Sequence, residues 1–161
     1  MSGINVTLTV AELRMACTIG CERQLEALRK SLPDRYGYEG DGWGIHIEGA
    51  AGELAVAKAL LTHWQGSCGT FRQGGDVGHL QVRTRSRDDH DLIIRERDDD
   101  NALYVLVVGR SPHYRVVGYL RGRDAKQTCW LQGHGGRQPA YFVPQRELIA
   151  FRCMPTSRLP E

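Results

Sequence analysis

The sequence predicts a single α/β domain with a central mixed β-sheet flanked by helices, and three observations support this. At 161 residues the chain has the length of one domain with one hydrophobic core. Helix-like periodicity fills much of the N-terminal half, whereas strand-like segments follow it. Residues 92–94 and 104–108 are continuously apolar, which is typical of strands covered on both faces in the middle of an α/β sheet.

The N-terminal half predicts a short strand and two helices. Residues 5–9 alternate in polarity, as a strand does. Thr9 and Glu12 then match a capping box, which predicts a helix that runs to about residue 32 and stops before Pro33. Glycines and aromatic residues between 34 and 44 indicate an ordered loop, and an alanine-rich segment predicts the second helix over 47–64.

The rest of the chain predicts mainly strands, over 69–72, 79–85, 91–96, 103–109, 114–121 and 140–143. We expect the last of these to be an edge strand because Pro144 follows it. Residues 97–102 hold three consecutive aspartates and predict a polar turn, and 123–130 predict a short helix.

We therefore divide the domain into three parts. An N-terminal helix and loop cover 1–46, the core covers 47–121, and a C-terminal extension covers 122–161. No internal repeat or linker interrupts the sequence.

Composition predicts a cytoplasmic protein with no membrane partner. The hydrophobic content of 41% and charged content of 25% are ordinary for a globular protein. No apolar run reaches the length of a membrane-spanning helix, and the N-terminus MSGINVTLTV lacks the pattern of a secretion signal. Five scattered cysteines predict neither a disulfide framework nor a zinc site, so we expect small, mostly buried residues in a reducing compartment.

Charge does not identify a partner. The formal net charge of +2 is too small to indicate nucleic-acid binding. Of the 21 basic residues, all but Lys30, Lys58 and Lys126 are arginine, a residue suited to phosphate contacts. A GC-rich genome that encodes arginine in place of lysine is the favoured explanation for the bias as a whole.

Glu53 is the first candidate site residue. On a period of 3.6 residues it shares a helix face with Val56, Ala57, Leu60 and Trp64, which form the apolar side. Burying an unpaired carboxylate costs several kcal/mol, so Glu53 needs a partner. The sequence leaves two partners open for Glu53, a metal ion or a buried arginine.

Asp76 and the strand after it supply the remaining candidates. An aspartate in a glycine turn is ordinary turn chemistry when taken alone. On the following strand Gln81 and Arg83 share one face, whereas Leu80 and Val82 share the other. We expect Asp76 and Gln81 to reach one point and Arg83 to extend toward it.

The order of Glu53, Asp76, Gln81 and Arg83 resembles the PD-(D/E)xK nuclease superfamily. In that superfamily a glutamate on an early helix precedes an aspartate before a strand and an acidic-x-lysine triplet on that strand. The resemblance covers about residues 50–119. It implies a restriction-endonuclease-like core and a DNA-cleaving hydrolase of phage or mobile-element origin.

The resemblance also implies a role for each residue. Glu53, Asp76, Gln81 and the main-chain carbonyl of Val82 would hold Mg²⁺ or Mn²⁺, and Arg83 would contact the phosphoryl oxygens. The neighbouring strand residues Thr84 and Arg85 would contact the DNA backbone. Cleavage of both strands would suit a symmetric homodimer.

Two positions depart from the superfamily pattern. Gln81 stands where an acid is usual. The site therefore has one negative charge fewer, which lowers its expected affinity for magnesium. Some restriction-type branches of the superfamily also carry glutamine at this position. Arg83 stands where lysine is usual, and a guanidinium can hold a phosphate but cannot act as a base.

These departures leave two alternatives beside the endonuclease. One is a catalytically degenerate nuclease-like module that binds DNA or serves in assembly. The other is an unrelated α/β domain that binds a protein partner, with Glu53 ion-paired in its core.

Overall fold

The structure, a computed structural model, describes residues 3–30, 41–68, 74–133 and 138–151. Its helices and strands are β1 (Ile4–Thr7), α1 (Val10–Arg29), α2 (Gly42–Ala59), β2 (Leu80–Arg85), β3 (Leu92–Arg95), β4 (Leu103–Arg110), β5 (His113–Arg121), α3 (Gly122–Ala125), β6 (Leu131–Gln132) and β7 (Ala140–Val143). Two 3-10 turns cover Thr128–Trp130 and Gln145–Glu147. The strand predicted over 69–72 lies outside the described residues.

A mixed sheet of four strands, in the order β1-β5-β4-β2, forms the centre of the fold. β2 runs parallel to β4, whereas β4 pairs antiparallel with β5 and β5 antiparallel with β1. All five residues of 104–108 on β4 are buried. One row of side chains packs against the helices, and the other row packs against a second sheet. The mixed α/β class and the central position of this apolar run are confirmed.

The two faces of the mixed sheet are covered differently. The alanines of α2 pack with Val82 of β2 and with Val105 and Val107 of β4. On the opposite face Leu106 packs with Leu92 and other residues of a second sheet. This antiparallel sheet has the order β3-β7-β6, so the two long helices cover only one face of the mixed sheet.

The second sheet corrects two predictions. β3 is an edge strand in which Leu92 and Ile94 are fully buried and Ile93 is half-buried, so its apolar run does not mark a strand covered on both faces. β7 lies between β3 and β6, so the prediction of an edge strand was wrong. Pro144 follows Val143, the last paired residue, and therefore removes no hydrogen bond from the ladder.

Side chains cap the N-termini of the two long helices, α1 and α2. The Thr9 hydroxyl accepts from the Glu12 amide at 3.2 Å, and Glu12 Oε2 accepts from the Thr9 amide at 2.6 Å, which confirms the predicted capping box. α2 begins before the predicted residue 47 because Asp41 Oδ1 accepts from the Trp43 amide at 3.0 Å. Residues 31–40, where α1 was predicted to end and the loop to begin, lie outside the described part.

α2 also ends earlier than predicted. Its last residue is Ala59, and Leu61 adopts a left-handed φ of 51° that turns the chain away from the helix. The helix predicted over 123–130 is divided into α3 and the 3-10 turn Thr128–Trp130. In the described ranges no helix is both long and apolar enough to cross a membrane.

The described cysteines are not core residues. Cys17, Cys68 and Cys129 are exposed and Cys21 is half-buried. The expectation of buried thiols was therefore wrong for these four residues, and Cys153 lies outside the described part.

Candidate functional site

Glu53 is the buried centre of the candidate site. The residue is 6% exposed, which confirms the burial that the helical periodicity predicts. Arg23 of α1 binds both carboxylate oxygens, with Nη1 at 2.6 Å from Oε1 and Nη2 at 2.8 Å from Oε2. Paired charge-assisted hydrogen bonds of this kind are among the strongest side-chain contacts. The buried arginine that the sequence left open as a partner for Glu53 is therefore Arg23.

Close helix packing brings Arg23 to Glu53. Gly20 lies one turn earlier on α1, and a Cβ built there would be 2.5 Å from the Ile47 Cα of α2. The Arg23 Nε also donates to the Ser67 carbonyl at 3.1 Å. Burial by itself lowers the pKa of Arg23, but the hydrogen bonds and charge of Glu53 outweigh it and the pKa is raised. Arg23 is therefore a permanent cation at this position.

Trp64 provides a third contact to the same carboxylate. Its indole Nε1 donates to Glu53 Oε2 at 3.1 Å, and its side chain is buried. The sequence placed Trp64 on the second helix, but the residue lies beyond the end of α2 and approaches Glu53 from the following segment. Glu53 Oε2 therefore accepts hydrogen bonds from both Arg23 and Trp64.

Asp76 is held by the backbone of the strand that it precedes. Its amide donates to the Leu80 carbonyl at 2.7 Å, and its Oδ2 accepts from the Val82 amide at 2.7 Å. A Cβ at the preceding Gly75 would be 2.5 Å from the Leu80 carbonyl oxygen, so the turn closes tightly only with glycine there.

Glu53 and Asp76 are electrostatically coupled. Burial raises the pKa of Asp76 and the charge of Glu53 raises it further, against the opposing effects of the Val82 amide and of Arg83 and Arg23. A nearby like charge disfavours the ionised form of a carboxyl group. The charge of Glu53 therefore reaches Asp76, the second carboxylate that the sequence selected.

Arg83 leaves β2 on the face opposite to α2. Val82 belongs to the core beneath α2, whereas Arg83 lies over the ring of Tyr104, which belongs to the core on the other face. The guanidinium carbon is 4.9 Å from that ring centroid, and Nη2 is 3.1 Å from Asp98 Oδ2. Arg83 is therefore directed toward Asp98 and away from Glu53.

Gln81 shares this face of β2 but contacts a different turn. Its Nε2 donates to the Gly74 carbonyl at 3.4 Å, in the segment that also holds Asp76. Gln81 therefore lies beside the turn that holds Asp76, on the face of β2 opposite to the helix that carries Glu53.

Thr84 and Arg85 make their contacts within the fold. The Thr84 side chain packs against Gly52 of α2. Arg85 Nη1 donates to the Asp91 carbonyl at 3.1 Å, and burial lowers the pKa of Arg85. Both side chains are half-buried.

Two carboxylates are the available donors for a divalent ion. Over 3–30, 41–68, 74–133 and 138–151 no group of three or more histidine, cysteine, aspartate or glutamate side chains is arranged to hold a metal. Magnesium is commonly held by one or two carboxylates together with waters and substrate phosphates. Glu53 and Asp76 could supply these carboxylates, but the guanidinium of Arg23 already binds both oxygens of Glu53.

The sequence did not indicate three residues that contact the candidate site residues, namely Arg23, Trp64 and Asp98. Arg23 follows Ala16 and Gly20 at helical spacing on the buried side of α1, and this stripe of small residues was the available signal for close packing. Asp98 was assigned only to a polar turn, and Trp64 only to the apolar face of the helix. No local pattern indicates that either residue contacts a site residue.

Comparisons of the chain with protein-family models, with curated proteins and with solved structures found no match. The residues and geometry of this chain therefore carry the functional argument alone.

Proposed function

We propose that this protein is a metal-dependent DNA endonuclease with a restriction-endonuclease-like core. The placement of two acids carries the proposal: Glu53 is buried on α2, and the Val82 amide holds Asp76 at the entrance to β2. Burial and the charge of Glu53 raise the pKa of Asp76, and acids perturbed in this way concentrate at functional sites. A divalent ion held by both acids would offset their repulsion, which Arg23 offsets at Glu53 in this structure.

The elements that carry the two acids support the same proposal. Glu53 comes from α2, and Asp76 comes from the turn that enters β2 of the mixed sheet. A helix acid followed by an acid at the entrance to a strand is the arrangement that the superfamily pattern implies. The Val82 amide fixes Asp76 from β2, and Trp64 fixes Glu53 from the segment after α2.

Each residue then has a defined task. Glu53 and Asp76 would hold the ion, with Gln81 and the Val82 carbonyl as the further oxygen donors that the resemblance implies. A bound Mg²⁺ or Mn²⁺ supplies Lewis acidity and lowers the pKa of a water molecule. Arg83 stays protonated but is directed toward Asp98 and away from Glu53, so its contribution would be to hold a DNA phosphate on that face of β2 and not to act at the ion.

A second candidate function is a nuclease-like module that binds DNA without cleaving it. Two contacts favour it: Asp98 engages Arg83, and Arg23 neutralises Glu53 without a metal, although an unrelated domain with Glu53 ion-paired in its core would show this second contact too. The two functions differ in whether a divalent ion reaches the carboxylates.

Incubation of supercoiled plasmid with Mg²⁺ or Mn²⁺ tests the proposal. We expect nicking by the wild type and its loss in both Asp76→Asn and Glu53→Gln. Glu22→Gln, which removes an exposed acid of α1, serves as the matched control and should nick as the wild type does.

The negative outcome is equally informative. Wild-type protein that leaves duplex and single-stranded DNA intact with both ions, yet binds DNA with a steep salt dependence, would support the binding module. Wild-type protein that neither nicks nor binds DNA would exclude both functions.

A further inference from the structure

Arg23 binds both oxygens of Glu53, the carboxylate that the proposed metal site would use. Its Nη1 and Nη2 lie 2.6 Å and 2.8 Å from the two oxygens of Glu53. The arginine side chain is 13% exposed, so this contact belongs to the interior and not to a solvated surface pair. Neither the sequence pattern nor the superfamily resemblance assigns a role to this residue.

We infer that Arg23 is a resident counter-cation of the acidic site, which competes with the divalent ion for Glu53 and sets the affinity of the site for metal. The inference rests on the proposed function, because it requires Glu53 and Asp76 to bind a metal.

The lone pairs of Glu53 support direct competition. Each carboxylate oxygen offers about two acceptor directions. Oε2 already accepts from Arg23 and from Trp64, at 2.8 Å and 3.1 Å. Oε1 accepts from Arg23 at 2.6 Å and keeps one further direction. An ion bound there would lie beside the guanidinium, and two cations at that separation repel each other.

The other contact of Arg23 holds its guanidinium beside Glu53. Its Nε donates to the Ser67 carbonyl at 3.1 Å, in the same rigid plane as the two nitrogens that bind Glu53. A divalent ion would therefore have to displace the whole guanidinium, and the loss of the Ser67 contact adds to the cost of that displacement. Gly20 holds α1 against α2 at Ile47, so the backbone of Arg23 keeps its place.

Mn²⁺ binding to the folded protein measures whether Arg23 competes with the ion for Glu53. Titration calorimetry should give an affinity for Arg23→Gln about 10- to 100-fold tighter than for the wild type, the range over which partners of metal ligands alter affinity. Arg23→Lys, which keeps the charge but loses the bidentate geometry, should fall between the two. Arg29→Gln removes an exposed arginine of the same helix and should leave the affinity unchanged.

Thermal unfolding provides a readout that does not depend on catalysis. Without metal, Arg23→Gln should have a lower Tm than the wild type because Glu53 loses its partner. Saturating Mn²⁺ should raise the Tm of this variant more than it raises that of the wild type. Adding Glu53→Gln to the variant should abolish the gain in affinity.

The outcomes separate the inference from the proposed function. If the wild type binds Mn²⁺ and both Arg23 variants bind it equally or more weakly, Arg23 does not compete and the inference is overturned, while the metal site stands. If none of the proteins binds Mn²⁺, including whichever Arg23 variant folds, the metal site itself is absent and both fail.

Discussion

Gly52 of α2 lies directly against the side chain of Thr84 on β2. A Cβ built on Gly52 would be 1.9 Å from the Thr84 hydroxyl oxygen and 2.9 Å from its Cβ. The helix therefore approaches the strand more closely than any other residue at position 52 would allow. Glu53 follows Gly52 and Asp76 is bonded to the Val82 amide, so this contact joins the helix that carries one acid to the strand that holds the other.

The first prediction concerns this close approach. Gly52→Ala should lower the free energy of unfolding by about 1–3 kcal/mol, because overpacking displaces the helix or Thr84. Gly49→Ala is the matched control on the same helix, since a Cβ there meets nothing within 4 Å. The control should be stabilised by about 0.5–1 kcal/mol. Urea denaturation measures both, and equal shifts in the same direction would contradict the prediction.

Trp64→Phe isolates the hydrogen bond from the indole to Glu53. The substitution keeps most of the apolar packing but removes the donor that lies 3.1 Å from Oε2. Hydrogen bonds to charged groups contribute about 1.5–3 kcal/mol, so we expect a loss of that size in denaturant unfolding. The same substitution in a Glu53→Gln background should have a smaller effect, and an undiminished loss would assign the cost to packing alone.

The raised pKa of Asp76 predicts a dependence of stability on pH. The folded protein keeps the Asp76 proton to a higher pH than the unfolded chain, whose aspartates titrate near about 3.9. The contribution of Asp76 to stability is therefore largest below that value and declines as the pH rises through the raised pKa.

Asp76→Asn tests this sign because asparagine keeps an acceptor for the Val82 amide but does not titrate. In EDTA, the free energy of unfolding of this variant relative to the wild type should increase with pH above about 3.9 and then level off. A difference that stays constant over that range would show that Asp76 titrates normally.

Substitutions of Gln81 test the contribution of this side chain to metal binding. Gln81→Glu should tighten Mn²⁺ binding because it restores a negative charge to the donor set. Gln81→Leu should weaken it, since the amide oxygen is lost. Calorimetric titration of the two variants in parallel measures both effects, and an unchanged affinity in both would remove Gln81 from the site.

Substitutions of Arg83 and Arg87 distinguish a specific phosphate contact from a general effect of surface charge on DNA binding. Arg87 is exposed and forms a salt bridge with Asp89, two residues further along the chain. Arg83→Gln should reduce the slope of log affinity for DNA against log salt by about 0.9, the value for one phosphate contact, whereas Arg87→Gln should leave it unchanged. A loss of stability in Arg83→Gln with no change in slope would restrict Arg83 to its contact with Asp98.

Local patterns predicted much of the fold. The capping box at Thr9 located the start of α1, and the apolar run 104–108 located the central strand β4. The predictions that were wrong depended on neighbours that the sequence does not specify. An apolar run is compatible with the edge of a second sheet as well as with the centre of the first, which is why β3 was assigned incorrectly. Pro144 lies just beyond the paired residues of β7, so it did not mark that strand as an edge.

The sequence by itself determined that Glu53 lies on a buried helix face and that Asp76 enters a strand, because periodicity and turn chemistry act over a few residues. Only the tertiary structure decided what those acids contact. Arg23 meets Glu53 from 30 residues away, and the packing of α2 against Val82 places Arg83 on the opposite face of β2, beside Asp98. Such partners depend on how separate helices and strands pack, and periodicity within one element contains no information about its neighbours.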